Sequence, residues 1–98
     1  MKDIINQLNK AFDNRTRLGI MSLLVVNDSM DFNSMKELLE LTDGNLATHI
    51  TALEKEKYLT VQKQFVGKKT MTSYRATEEG KIAFKEHLNL LERLIKFK

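Results

Sequence analysis

The chain contains no cysteine. That absence excludes disulfides, thiolate metal sites and cysteine nucleophiles together, and it fits a reducing cytoplasm. There is no proline either, so nothing forces a kink or marks a rigid linker. No apolar run approaches the length of a membrane span, and the N-terminal MKDIINQLNKAF lacks the apolar stretch of a signal peptide. Internal repeats and low-complexity segments are missing too. The most telling absence is local. No acidic residue occurs between Tyr58 and Ala76, whereas Lys63, Lys68, Lys69 and Arg75 do.

What is present suits one globular domain spanning residues 1–98, since 98 residues is near the common domain size. Hydrophobic residues make up 42% and charged residues 30%, which is enough apolar material for a core. The net charge of +3 is a modest excess. Its distribution says more, because acidic residues gather toward the helical ends and basic ones in the acid-free stretch.

Apolar spacing predicts a helix over residues 4–12, through Ile4, Ile5, Leu8 and Phe12. Asp13 or Asn14 can cap a second helix carrying Leu18, Ile20, Met21, Leu24 and Val25. Asn27-Asp28-Ser29 breaks it, and Met30-Asp31-Phe32 fits a short edge strand. Ser34 and Glu37 have the spacing of a capping box, ahead of Met35, Leu38 and Leu39. Thr42 caps the next helix, about 43–56, with Leu46, Ile50 and Leu53 on its buried side. Two short helices joined by about three residues make a helix-turn-helix.

A hairpin follows. Leu59, Val61 and Phe65 alternate with polar residues, Gly67 can take the positive φ of a turn, and Thr72, Tyr74 and Ala76 share one face of the return strand. Thr77 caps a last helix running to about Phe97, with Glu78 and Glu79 in its first turn.

An α-helix fits the major groove, where short polar side chains read base edges. At 3.6 residues per turn, the outward face of the 43–56 helix carries Asn45, Thr48, Thr51, Ala52 and Lys55, with His49 at its border. An ordinary solvated face would hold more Glu and Lys. Glu54 and Glu56 lie at the far end, where they would repel phosphates if the helix lay flat. Lys68, Lys69 and Thr70 form a basic tip, about 66–71, able to hold the neighbouring backbone or minor groove. Asn33 and Ser34 can donate to a phosphate from a helix N-terminus. Asp28 and Asp31 lack the companions of a calcium site, and His49 and His87 stand far apart in sequence. No spacing supports a catalytic triad, phosphate loop or carboxylate pair, so neither an enzyme nor a cofactor is expected.

The chain resembles the winged-helix DNA-binding domain of small bacterial MarR/ArsR-type regulators, a mainly α fold with a small β-hairpin wing. Asn45-Leu46-Ala47-Thr48-His49-Ile50-Thr51-Ala52-Leu53-Glu54 is similar to their recognition helix. Lys57-Tyr58-Leu59 resembles the segment that leaves it, Gly67-Lys68-Lys69-Thr70 the wing tip, and Ala76-Thr77-Glu78-Glu79-Gly80 the opening of the last helix. Asn14-Arg15-Thr16-Arg17-Leu18-Gly19-Ile20-Met21 looks like the family's early helix. Ala47 departs from a usual Ser, and Lys57 from a usual Gly. The cysteine ligands of metal-sensing members are missing.

The last helix carries two apolar stripes, Phe84, Leu88, Leu91 and Ile95, and Ala83, Leu90, Leu94 and Phe97. That arc is wider than one core requires. One stripe is expected to pack on the domain and the other on a second copy, with Ile4, Ile5 and Leu8 beside Leu88, Leu91, Leu94 and Ile95. The resemblance also implies dimerisation through terminal helices. The resulting expectation is a cytoplasmic homodimer that binds duplex DNA sequence-specifically and regulates transcription. The alternative is a winged-helix protein-interaction module. The sequence names no small-molecule effector.

Overall fold

A computed structural model describes residues 1–96, so Phe97 lies outside the described residues. Helix α1 spans Lys2–Gln7, a 3-10 turn Lys10–Phe12, α2 Arg15–Val26, β1 Met30–Asp31, α3 Phe32–Leu39 and α4 Asp43–Lys55. The hairpin strands are β2, Leu59–Val66, and β3, Lys69–Ala76, and α5 spans Glu78–Lys96. The three strands form one antiparallel sheet in the order β1-β3-β2, so Met30–Asp31 is the edge strand that the sequence suggests. This is a winged helix-turn-helix.

The core lies where α2, α3, α4 and the base of the hairpin meet. Ile20, Met21, Leu24, Met35, Leu46, Leu53 and Leu59 are fully buried there. Every α-helix after α1 begins where a side chain takes up orphan amides. Asn14 accepts from Thr16 and Arg17, Thr42 from Asn45, and Thr77 from Gly80.

The start of α3 differs from expectation. Asp31, not Ser34, caps it by accepting from the Ser34 amide, and the Ser34 hydroxyl also donates to that carboxylate. An ionised acceptor binds both donors more strongly than a hydroxyl can, so the Ser34–Glu37 box gives way to it. Those bonds, the side-chain one first, hold the Asp31 carboxyl below its usual range.

The expected helix over residues 4–12 is also interrupted. Asn9 accepts from the Ala11 amide at 2.9 Å, donates its side-chain NH2 to the Tyr58 hydroxyl at 2.8 Å, and donates its backbone N–H to His87 Nδ1 at 3.1 Å. Such side-chain competition is why Asn disfavours helix interiors. Phe12, after the break, sits between the rings of Tyr58, Phe84 and His87, with centroids 5.3–5.5 Å apart.

Helix α4 ends on Lys57 at φ 64, a left-handed residue, with the Tyr58 amide donating to the Leu53 carbonyl. A lysine there costs about 1 kcal/mol over glycine. The hairpin then turns on Gly67-Lys68. Only Gly67, at φ 66, is positive, the glycine-first arrangement of a type II′ turn. At the base of α5 the Thr77 hydroxyl donates to the Lys57 carbonyl at 2.7 Å, and the Thr77 amide donates to the Tyr58 carbonyl at 3.0 Å. Gly80 lies against that same Tyr58 peptide. A Cβ added to it would clash with the carbonyl oxygen and stand 2.9 Å from the carbon.

The domain extends 58 Å along its longest axis, against 26 and 21 Å across. Helix α1 packs along α5 and buries Ile4.

Two outcomes follow from this packing. Gly80→Ala must push α5 off the Tyr58 peptide, so its urea midpoint should fall by the equivalent of about 1–3 kcal/mol. An unchanged midpoint would contradict the contact. The second concerns His87, which is buried with Nδ1 occupied as an acceptor. Burial lowers its pKa below the ordinary 6.5, and Asp13 partly opposes the shift. The unfolded chain therefore takes up this proton at higher pH than the folded one does. The contribution should be complete above pH 6.5 and should decline as pH falls toward the folded value. Stability curves of wild type and His87→Asn between pH 7.5 and 5 should converge on acidification; parallel curves would refute the assignment.

Candidate nucleic-acid interface

Three elements place the expected residues. On α4, burial of Leu46, Ile50 and Leu53 turns the opposite face to solvent, and Gly44, Asn45, Ala47, Thr48, Thr51 and Lys55 are exposed on it. The face is short and mostly uncharged, so another surface can come close to the helix backbone. Thr51 donates its hydroxyl to the Ala47 carbonyl at 2.9 Å, which leaves its oxygen outward as an acceptor only. Asp43 at the N-terminus is paired with Lys36 at 2.8 Å. Glu54 and Glu56 are exposed at the C-terminal end, as the sequence suggests.

His49 is half-buried at the border of this face, and its partner is one the sequence did not reveal. Arg17, in the first turn of α2, donates Nε to the Ala11 carbonyl at 2.6 Å and brings Nη1 to 3.3 Å from His49 Nδ1. A guanidinium has no lone pair to offer, so Nδ1 must be the acceptor. In the neutral ring the proton then sits on Nε2, and His49 presents a donor. No spacing rule links residues 32 apart, so only the fold exposes this pair.

The wing supplies the second element. Lys68, Lys69 and Thr70 are exposed, and so is every residue from 62 to 71. Phe65 lies on the face that carries Leu59 and Val61 into the core, yet it is 84% exposed, because the hairpin extends beyond the body of the domain.

The third element is the start of α3. Asn33 is exposed, and it shares a cleft of about 370 Å³ with Asp31, Phe32, Thr70, Met71 and Thr72. Asn33 and the wing residue Thr70 therefore meet at one place. Ser34 does not join them as a phosphate donor. Both of its donors are taken by Asp31, whose carboxylate fills the positive end of the helix.

The expected association residues divide as well. Ile4 is covered by its own chain. Ile5, Leu88 and Ile95 are 52%, 45% and 83% exposed, while Leu8, Leu91 and Leu94 are half-buried. Among the described residues no group of acidic or histidine side chains is arranged to hold a metal ion. No described helix is long and apolar enough to cross a membrane.

Comparison with known proteins agrees with this geometry. Residues 16–95 match the family model of the winged helix DNA-binding domain. An uncharacterized protein of Methanocaldococcus jannaschii is 33% identical over 87 residues, 89% of this chain and 95% of that one. A transcriptional regulator homologue from Pyrococcus horikoshii OT3 superposes with a TM-score of 0.85 at 29% identity, over 97% of this chain and 92% of its own. A PadR family transcriptional regulator from Eggerthella lenta shares the fold, with a TM-score of 0.69 at 19% identity over 82% and 74% of the two chains. The two more similar relatives are archaeal, so the likeness to bacterial regulators does not assign the chain to a bacterium. By its matched residues and its architecture, the chain belongs to the winged helix DNA-binding domain family.

Proposed function

We propose that this protein is a homodimeric regulator of transcription that binds duplex DNA sequence-specifically. The observation that carries the reading is the outward face of α4, short and polar, beside an acid-free hairpin. Helix α4 enters the major groove with Asn45, Thr48, His49, Thr51 and Lys55 toward the bases. Lys68, Lys69 and Thr70 hold the wing to the duplex, and Asn33 supports them from the adjoining cleft.

A single copy has a weak electrostatic grip, given a net charge of +3. Pairing two copies through α5 and α1 doubles it. Ile5, Leu88 and Ile95 are exposed apolar residues on those helices, with Leu8, Leu91 and Leu94 partly open between them. Two-fold pairing would set the recognition helices on half-sites about 34–36 Å apart. The lack of cysteine, and of any membrane-length apolar helix among the described residues, fits a cytoplasmic protein.

Lys68→Ala combined with Lys69→Ala should weaken binding to every duplex and reduce the slope of log affinity against log salt by about two units per chain. Thr48→Ala should instead change which sequences are preferred, as read by selection from a random pool. Wild-type behaviour in both variants would refute this docking. For the dimer, light scattering at micromolar concentration should give twice the chain mass, and Leu88→Asp with Ile95→Asp should reduce it to one. A wild-type mass of a single chain would refute the pairing.

A further inference from the structure

The hairpin tip has an unusual surface for a basic element. Phe65, Val66 and Met71 are 84%, 56% and 49% exposed. They make no contribution to the core, which the sheet reaches through Leu59, Val61, Tyr74 and Ala76 at its base. Their placement on the ribbon matters more than their number. Directly opposed residues share a face, and neighbours along a strand alternate. Phe65 pairs with Thr70 and Lys63 with Thr72, which puts Phe65 and Lys63 on one face. Val66 pairs with Lys69 and Gln64 with Met71, which puts Val66, Met71 and Lys69 on the other. Each face of the tip thus carries exposed apolar side chain and a lysine. None of Lys63, Lys68 and Lys69 forms a salt bridge among the described residues.

A flat partner, whether another protein or a second copy of this chain, would cover one face and leave the other wet. A two-faced apolar tip flanked by cations needs a slot with apolar walls and anionic rims. The minor groove of duplex DNA is such a slot, about 6 Å wide, walled by deoxyribose and edged by phosphates. Apolar side chains with neighbouring cations are the means by which minor-groove binders part a base step.

We propose that the wing tip is an apolar wedge that enters the minor groove, with Phe65 as the leading side chain that opens a base step and Lys63, Lys68 and Lys69 on the flanking phosphates. This rests on the reading of the protein as a duplex-DNA binder and adds a second source of sequence selectivity. Pyrimidine–purine steps unstack most readily, so the wing favours them without hydrogen-bonding a base.

The test uses the full chain and a duplex selected by the wild-type protein, with 2-aminopurine moved stepwise through the wing position. Wild type should raise 2-aminopurine fluorescence at one step, and a TA step there should bind more tightly than a GC step. Phe65→Ala should lose that signal and the TA preference. It should bind roughly tenfold more weakly, with an unchanged salt slope, because no charge is removed. Phe65→Leu should restore part of the affinity, and thermal unfolding should match wild type in both variants because the side chain is exposed. The wedge is overturned if Phe65→Ala binds as wild type while the Lys68, Lys69 double variant is weakened, which would leave the wing on the backbone alone. It is also overturned if Phe65→Ala changes the mass of the protein and not its DNA affinity, which would make a second copy the occupant. If Phe65→Ala, Thr48→Ala and the double lysine variant all bind DNA as wild type does, the DNA-binding reading itself fails along with the wedge.

Discussion

The architecture depends on a crossing of backbones at Lys57-Tyr58 and Thr77–Gly80. Thr77 ties both peptides at the exit of α4, and Gly80 allows α5 to lie directly on the Tyr58 carbonyl. Helix α4 ends there, the wing begins and ends there through the Leu59–Ala76 pair, and the outer helix starts there. Tyr58 also receives the Asn9 amide and stacks on Phe12, so the N-terminal turn is referred to the same point. A side chain at position 80 would move all of these parts relative to one another. Lys57 tolerates a left-handed backbone for the same reason: the crossing holds it from both sides.

Around that point the polar chemistry divides into two kinds. Among the described residues the buried side-chain polar atoms are satisfied within the chain, as in Asn9 with His87 and Tyr58, and these bonds orient helices. The outward groups on α4 and the wing have few internal partners, and where one exists it sets a role. Thr51 is made an acceptor by the Ala47 carbonyl, and His49 a donor by Arg17. Two polar residues of one helix thus present opposite chemistry to whatever approaches. Arg17 accomplishes this from a different helix, so the register of α2 on α4 helps set the chemistry of that surface.

Much of the fold was legible because its signals are local. Asn14, Thr42 and Thr77 cap helices where the sequence puts them, and Leu46, Ile50 and Leu53 are buried as their spacing requires. Gly67 turns the hairpin, and Lys57 has the positive φ that its place in the pattern demands. The failures are competitions between local and distant partners. Ser34 was outbid as a cap by a carboxylate three residues earlier, and the first helix yielded to three hydrogen bonds at Asn9, two of them to residues far along the chain. Phe65 alternates like a core residue, yet periodicity does not say where the body of a domain stops. His87 and Arg17 carry no sequence signal, because their partners are far away in the chain.

The hairpin's reach past the domain separates two kinds of selection. Residues 62–71 are all exposed, and the core is complete without them. Substitutions there should leave the stability of the fold nearly untouched while reshaping the outer surface. The crossing at Gly80 admits almost no change at all. Change should therefore be readily tolerated at the tip and nearly arrested at its root, so that chains with superimposable bodies can carry very different wing surfaces.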